Sequence, residues 1–118
     1  MRDSSLLAFS QLRQEERNGS PHEAILAASA TFEKTSPTTW RGVCIKLKEC
    51  ARDLENSDAD YLAIELRDFF RMRKIIDGAW LYDLRLHVQL VQALAPDNDY
   101  AISCLQSILA GMSKPRLV

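Results

Sequence analysis

Two histidines, His22 and His87, and three cysteines, Cys44, Cys50 and Cys104, are the side chains of this sequence best suited to metal ligation or nucleophilic chemistry. Their spacing supports neither. A zinc site takes four donors at knuckle or helical spacings, and these cysteines never fall in a CxxC pair. Cys44 and Cys50 share one amphipathic segment, about 120° apart around a helix axis and too far along it to share a ligand or form a disulfide. Both read as small core residues. Any Ser/His or Cys/His couple would have to run through His22 or His87, and Glu23 beside His22 is explained by helix capping. Gly19, Gly42, Gly78 and Gly111 are dispersed, whereas phosphate-cradling loops gather glycines within a few residues. No metal, cofactor or nucleotide is expected.

Three further features stand out by position. His87 lies in the stripe Trp80, Leu84, His87, Val91, Leu94, where a leucine would ordinarily sit. It is either a core histidine bonded to a neighbouring group or a group in a pocket or pH-sensitive contact. Arg73 would project among Leu62, Phe69 and Ile76 if its helix runs that far, so either the helix ends near Met72 or the arginine meets an acid or a partner. Arg67, Arg71, Arg73 and Lys74 form the strongest charge cluster, with Arg67, Arg71 and Lys74 on one helical face. The cluster is a solvated face partly neutralised by Asp68 and Asp77, or a docking patch for an acidic partner or a phosphate backbone.

The chain that must position these residues has 118 residues, 47% apolar, with 15 basic against 16 acidic side chains and a net charge of −1. That length suits one domain with one core, needing no disulfide or structural metal. Near-neutrality excludes a bulk polycation, so nucleic-acid contact would need a local basic face. An odd cysteine count argues for a reducing cytosol. The uncharged stretch from Leu86 to Pro96 is too short for a membrane span of about 20 residues.

No segment alternates with period two, and the prolines and glycines punctuate helical patterns, so the expectation is an all-α, irregular bundle of five to six helices in a single domain 1–118. Residues 1–4 and 113–118 are expected as flexible tails. A short helix spans Ser5 to Arg17. Ser20, Pro21 and Glu23 open a second, with Ser20 as cap, whose buried side is Ile25, Ala28, Ser29 and Phe32. Thr38 or Thr39 caps a third, in which Trp40, Val43, Cys44, Leu47, Cys50, Ala51 and Leu54 recur at i, i+3, i+4 spacing. Asn56 and Ser57 open a fourth with Leu62, Leu66, Phe69 and Ile76 inward. Asp77 and Gly78 mark a stop or kink before a fifth that ends ahead of Pro96. The last starts at Asp97 or Asn98 and stops at Gly111.

Helix, turn and helix over 22–49 loosely resemble a helix-turn-helix, which would present Thr38, Thr39, Trp40 and Arg41 to DNA, with Lys46 and Lys48 behind them. The turn lacks glycine and Trp40 belongs to the apolar stripe, so an ordinary αα-hairpin fits the residues better. The layout of 22–54, HEAILAASATFEK leading into SPTTWRGVCIKLKECARDL, is similar to small helical proteins of unknown function encoded in alphaproteobacterial genomes, prophages and plasmids. The resemblance implies a bacterial or mobile-element source and carries no site residue.

The function expected first is a non-enzymatic, cytoplasmic interaction or regulatory module that binds a protein partner or forms a homodimer, with Arg67, Arg71, Arg73, Lys74, Trp80 and His87 as candidate interaction residues. The motive is surplus apolar surface. Trp80, Leu81, Leu84, Leu86, Val88, Leu90, Val91 and Leu94 cover more than half of one helix, and Ile45, Ile64 and Ile75 lie off their stripes. The alternative is a DNA-binding regulator using residues 36–48, with Thr38, Thr39, Arg41 and Lys48 as contacts, and the basic cluster 67–74. An enzyme comes third, with His87 as its general base in a concave polar pocket.

Overall fold

The computed structural model describes residues 3–72 and 79–111, with backbone alone at 70–72 and 79–81. These residues form six helices: α1 Ser4–Arg17, α2 His22–Lys34, α3 Trp40–Asn56, α4 Asp60–Met72, α5 Ala79–Leu94 and α6 Asp99–Gly111. The chain is all-α, as its periodicity predicts.

Helix α3 lies at the centre, its regular apolar stripe wide enough to meet neighbours on more than one side. It packs against α4 on one side and α6 on another, while α1 touches it across its first turns, α2 bridges α1 and α6, and α5 covers α6. Val43, Leu47, Cys50, Ala51 and Leu54 of α3 meet Leu62, Ala63, Leu66 and Phe69 of α4, Leu84, Val88 and Val91 of α5, and Ala101, Leu105 and Ile108 of α6. A second, smaller cluster joins Ala8, Phe32 and Cys104, with Phe9, Ile45 and Tyr100 against it. Ile45, expected as surplus surface, is therefore packed in this second cluster.

The ends of the helices show where local reading and structure part. Helix α2 begins at His22 with Pro21 at its N-cap and no side-chain cap, so the Ser20–Glu23 capping box does not form. Asn56 and Ser57 close α3 instead of opening α4. The N–H of Asp58 donates to Glu55 and that of Ala59 to Leu54, with Asp58 at φ 61°, a Schellman closure in which buried Ala59 covers Leu54. Gly19, at φ 63°, ends α1 by the same geometry, its N–H donating to Glu16 and that of Ser20 to Glu15. The last helix, expected from Asp97 or Asn98, begins at Asp99, and Asn98 caps it, its Oδ1 accepting from the N–H of Ala101 at 3.1 Å.

The N-terminal tail expected over 1–4 is corrected at its inner half. Asp3 is 4% exposed and caps α1, which starts at Ser4. Residues 113–118, like Arg73, Lys74, Ile75, Asp77 and Gly78, lie outside the described residues.

Candidate interaction surface

Helix α5 buries a stripe rotated from the expected one. Leu84, Val88 and Val91 point into the core, which leaves Tyr82, Leu86, Leu90 and Leu94 outside. Leu94, read as core from spacing, sits at the last turn before Pro96 and is exposed, while Ala95 beside it packs against the core. On α4, the inward positions Leu62, Ala63, Leu66 and Phe69 leave Tyr61 and Ile64 outside. These six side chains are between 37% and 63% exposed. Tyr61 and Leu94 line one shallow depression of about 270 Å³, together with Ala59, Ala95 and Pro96 and the polar Ser57, Asp58, Asp97 and Asn98. The two faces thus join into one arc running Ile64, Tyr61, Leu94, Leu90, Leu86, Tyr82. Isolated exposed apolar residues are ordinary on a monomer, but a contiguous run of six is the pattern of an association surface. Leu7 on α1 and Leu26 on α2 are also about half exposed and stand apart from this arc.

The residues expected to mediate interaction are distributed differently. Arg67 forms an ion pair with Glu55 and so ties α4 to α3. Arg71 and Trp80 stand on α4 and α5, with backbone alone described, and Arg73 and Lys74 lie outside the described residues. His87 is half-buried, its ring 4.8 Å from that of Phe69 and its Nδ1 2.7 Å from the carbonyl oxygen of Asp83 one turn back. That environment joins α5 to α4.

The start of α3, proposed above as a DNA-reading turn, is engaged internally. Asp3 Oδ2 accepts from the N–H of Thr38 at 3.1 Å, the N–H of Thr39 at 3.0 Å and the hydroxyl of Thr39 at 2.7 Å, while Oδ1 accepts from the N–H of Ser5 at 2.9 Å. Thr39 Oγ1 in turn accepts from the N–H of Gly42 at 3.1 Å. One carboxylate therefore serves the first turns of two helices, where their dipoles favour negative charge. Arg41 and Lys48 are exposed and seven residues apart, hence on one face of α3. Lys46 is not on that face: its side chain is fully buried.

Lys46 Nζ donates to the carbonyls of Phe32 at 2.6 Å and Glu33 at 3.1 Å, and to Ser107 Oγ at 2.8 Å, and it lies 4.7 Å from the centre of the Phe32 ring. Its ammonium closes the C-terminal end of α2, where the helix dipole is negative, and pins that end to α6. Glu49, 5% exposed, is held by Arg13 at 3.0 Å and Arg52 at 2.9 Å, which joins α1 to α3. Neither role was visible in the sequence, where both residues look like ordinary polar positions on a helix. The signal available was geometric: Lys46 and Glu49 flank Leu47 and Cys50 on the stripe, so they fall at the margins of the buried face.

Burial shifts the protonation of this region. It lowers Lys46 from 10.5 to about 8, raises Cys104 from 9.0 to about 12, raises Cys50 well above 9.0, pushes Tyr100 upward and holds the Glu49 carboxyl above its usual range. The signs give a testable pH profile. Between about pH 8 and 10.5 the unfolded chain binds a proton that folded Lys46 has released, so this group adds stability as pH rises. From about pH 9 upward folded Cys104 keeps a proton that the unfolded chain loses, and Cys50 acts the same way, so both remove stability as pH rises. Urea denaturation under reducing conditions should show a shallow maximum near pH 9 and then a decline. A Lys46→Met variant should lack the rise that precedes it, and a flat profile for the wild-type chain from pH 8 to 11 would refute the assignment.

Among the described residues, no three histidine, cysteine, aspartate or glutamate side chains converge as a metal site, and no helix is long and apolar enough to cross a membrane. No family model, curated protein or solved structure matches this chain.

Proposed function

We propose that this chain is a non-enzymatic helical interaction module, an adaptor or regulator working in the cytoplasm, and that it associates with its own kind through the apolar arc of α4 and α5. The arc is the observation that carries this reading. The inner side of α5 meets the core with Leu84, Val88 and Val91, and the outer side still offers Tyr82, Leu86, Leu90 and Leu94. Fixing large apolar side chains in water is unfavourable by roughly 25 cal/mol for each Å² left unburied, which association recovers. Duplex binding through 36–48 and 67–74 is less well supported. Asp3 already takes the backbone N–H groups of Thr38 and Thr39 and the Thr39 hydroxyl, and Lys46 is enclosed.

Sedimentation velocity from about 1 to about 100 µM should show a monomer giving way to a dimer. Leu86→Arg places a charge within the α5 row of the arc without touching the core. It should weaken association at least about tenfold while leaving helical content unchanged and, at concentrations where both chains are monomeric, the thermal midpoint as well. A wild-type chain that stays monomeric throughout this range overturns the reading.

A further inference from the structure

The four exposed apolar residues of α5 recur at every fourth position, and their order has a symmetry that fits them to a second copy of the same helix. Tyr82 and Leu94 are equidistant from Val88, and so are Leu86 and Leu90. A two-fold axis perpendicular to α5 at the level of Val88 therefore sets Leu86 against the partner's Leu90 and Tyr82 against the partner's Leu94. From the arc described above, and resting on the reading that it mediates self-association, we infer that two copies pair through α5 in antiparallel orientation, with Tyr82 of each seated in the depression beside Leu94 of the other.

Three observations choose this occupant. The first is shape. Tyr82 is, among the described residues, the most exposed large apolar side chain, at 63%, and stands at one end of the row. The depression of about 270 Å³, walled by Tyr61, Leu94 and Pro96 with Asp58 and Asp97 also lining it, stands at the other end. Antiparallel pairing brings knob and hole together twice, once at each end, as an isologous interface requires.

The second is charge. From Tyr82 to Leu94 only Asp83 and Arg85 carry formal charge, and Arg85 alone of the two is exposed. Parallel pairing would bring two Arg85 guanidiniums side by side. Antiparallel pairing separates them and places each near the partner's Gln89 and Gln92, which accept hydrogen bonds. It also opposes the two helix dipoles head to tail.

The third is geometry and area. A row at i, i+4, i+8 is a ridge, and two identical ridges of this kind interlock at a crossing angle of about −50°. A steep crossing concentrates contact on Leu86 and Leu90 and lets the flanking Tyr82 reach across towards α4. Six side chains about half exposed leave on the order of 600 Å² of apolar surface, three-quarters of the roughly 800 Å² each partner contributes to a standard interface. Arg85, Gln89 and Gln92 supply the polar rim.

Cysteine cross-linking reads the orientation. Leu86→Cys and Leu90→Cys are each made in a Cys44→Ser background, leaving Cys50 and Cys104 buried. Under mild oxidation, a mixture of the two should form a disulfide-linked heterodimer at least about tenfold faster than either protein alone, because only the mixture brings two cysteines within disulfide reach. Tyr82→Ala should weaken the dimer at least about tenfold, and Tyr82→Phe should retain it. Faster linkage of each variant with itself indicates parallel pairing and overturns the inference, as does a Tyr82→Ala dimer of unchanged affinity. A wild-type dimer in which no combination cross-links also overturns it, while leaving self-association standing through another face. A monomeric wild-type chain defeats both this inference and the function it rests on.

Discussion

Gly42→Ala should destabilise the fold by about 3 kcal/mol, lowering the thermal midpoint by roughly 10 °C for a domain of this size. A Cβ at this position would stand 2.2 Å from Asp3 Oδ2 and 2.9 Å from Pro37 Cβ. The carboxylate would have to leave. With it go the bonds from the N–H groups of Thr38 and Thr39, the Thr39 hydroxyl and the N–H of Ser5, so the first turns of α1 and α3 lose their shared cap together. Asp3→Ala removes the same acceptor from the other side and should be about 2 kcal/mol less stable than wild type.

The informative variant is the double one. If the alanine methyl acts mainly by expelling the carboxylate, Asp3→Ala/Gly42→Ala should be little worse than the poorer single variant, with a coupling of more than about 1 kcal/mol by denaturant titration. Simple addition of the two single effects would show that Gly42 is required for a reason other than the approach of Asp3. The glycine is thus a packing requirement, since its backbone lies in the ordinary helical region and the flexibility of glycine is not used there.

Lys46→Ala should be comparably severe, at about 3 to 5 kcal/mol, because it opens a cavity where a four-carbon stem was packed and strips the donors from a helix end. Lys46→Met separates the two causes. It fills nearly the same volume, and the carbonyl of Phe32 still accepts from Thr35 Oγ1 at 2.7 Å, but Glu33 and Ser107 lose their donor. A loss of about 1 to 2 kcal/mol is expected for Met, with Ala clearly lower. Equal losses for the two would assign the whole effect to the ammonium group. No loss for Met would mean that water or relaxation satisfies the end of α2 without it, and the clamp described above would fall. Ser107, whose hydroxyl donates to the carbonyl of Cys104 at 2.7 Å while accepting from Lys46, ties this clamp to α6.

The helices themselves were legible in the residue order. The stripe of Val43, Leu47, Cys50, Ala51 and Leu54 is buried as its period requires, and the cap at Thr39 falls where short-range chemistry puts it. Such features depend on neighbours within about one turn, so composition and spacing carry them. Boundaries failed where two local readings competed. Asn56 and Ser57 are good helix openers, yet the left-handed Asp58 behind them let the preceding helix close with a buried Ala59, and packing against Leu54 settled the choice.

Charge was the property least readable from order alone. Asp3 looked like part of a loose end and Lys46 like a solvated or DNA-facing base. Each is instead buried because partners 35 or 36 residues away for Asp3, and 14 and 61 residues away for Lys46, converge on it. No short window contains both sides of such a bond. The total apolar share had a similar ambiguity: it implied a core, and more than a core, without saying which residues were the excess. Periodicity narrows a helix to a face, but which face turns inward depends on the direction from which α4 and α6 approach it. On α5 that approach left Tyr82, Leu86, Leu90 and Leu94 outside and Leu84, Val88 and Val91 within. Residue types and spacing were enough for an all-α chain whose third helix carries a regular apolar stripe. Long-range packing assigned the buried charges and the exposed apolar row, because both are properties of groups brought together from distant parts of the chain.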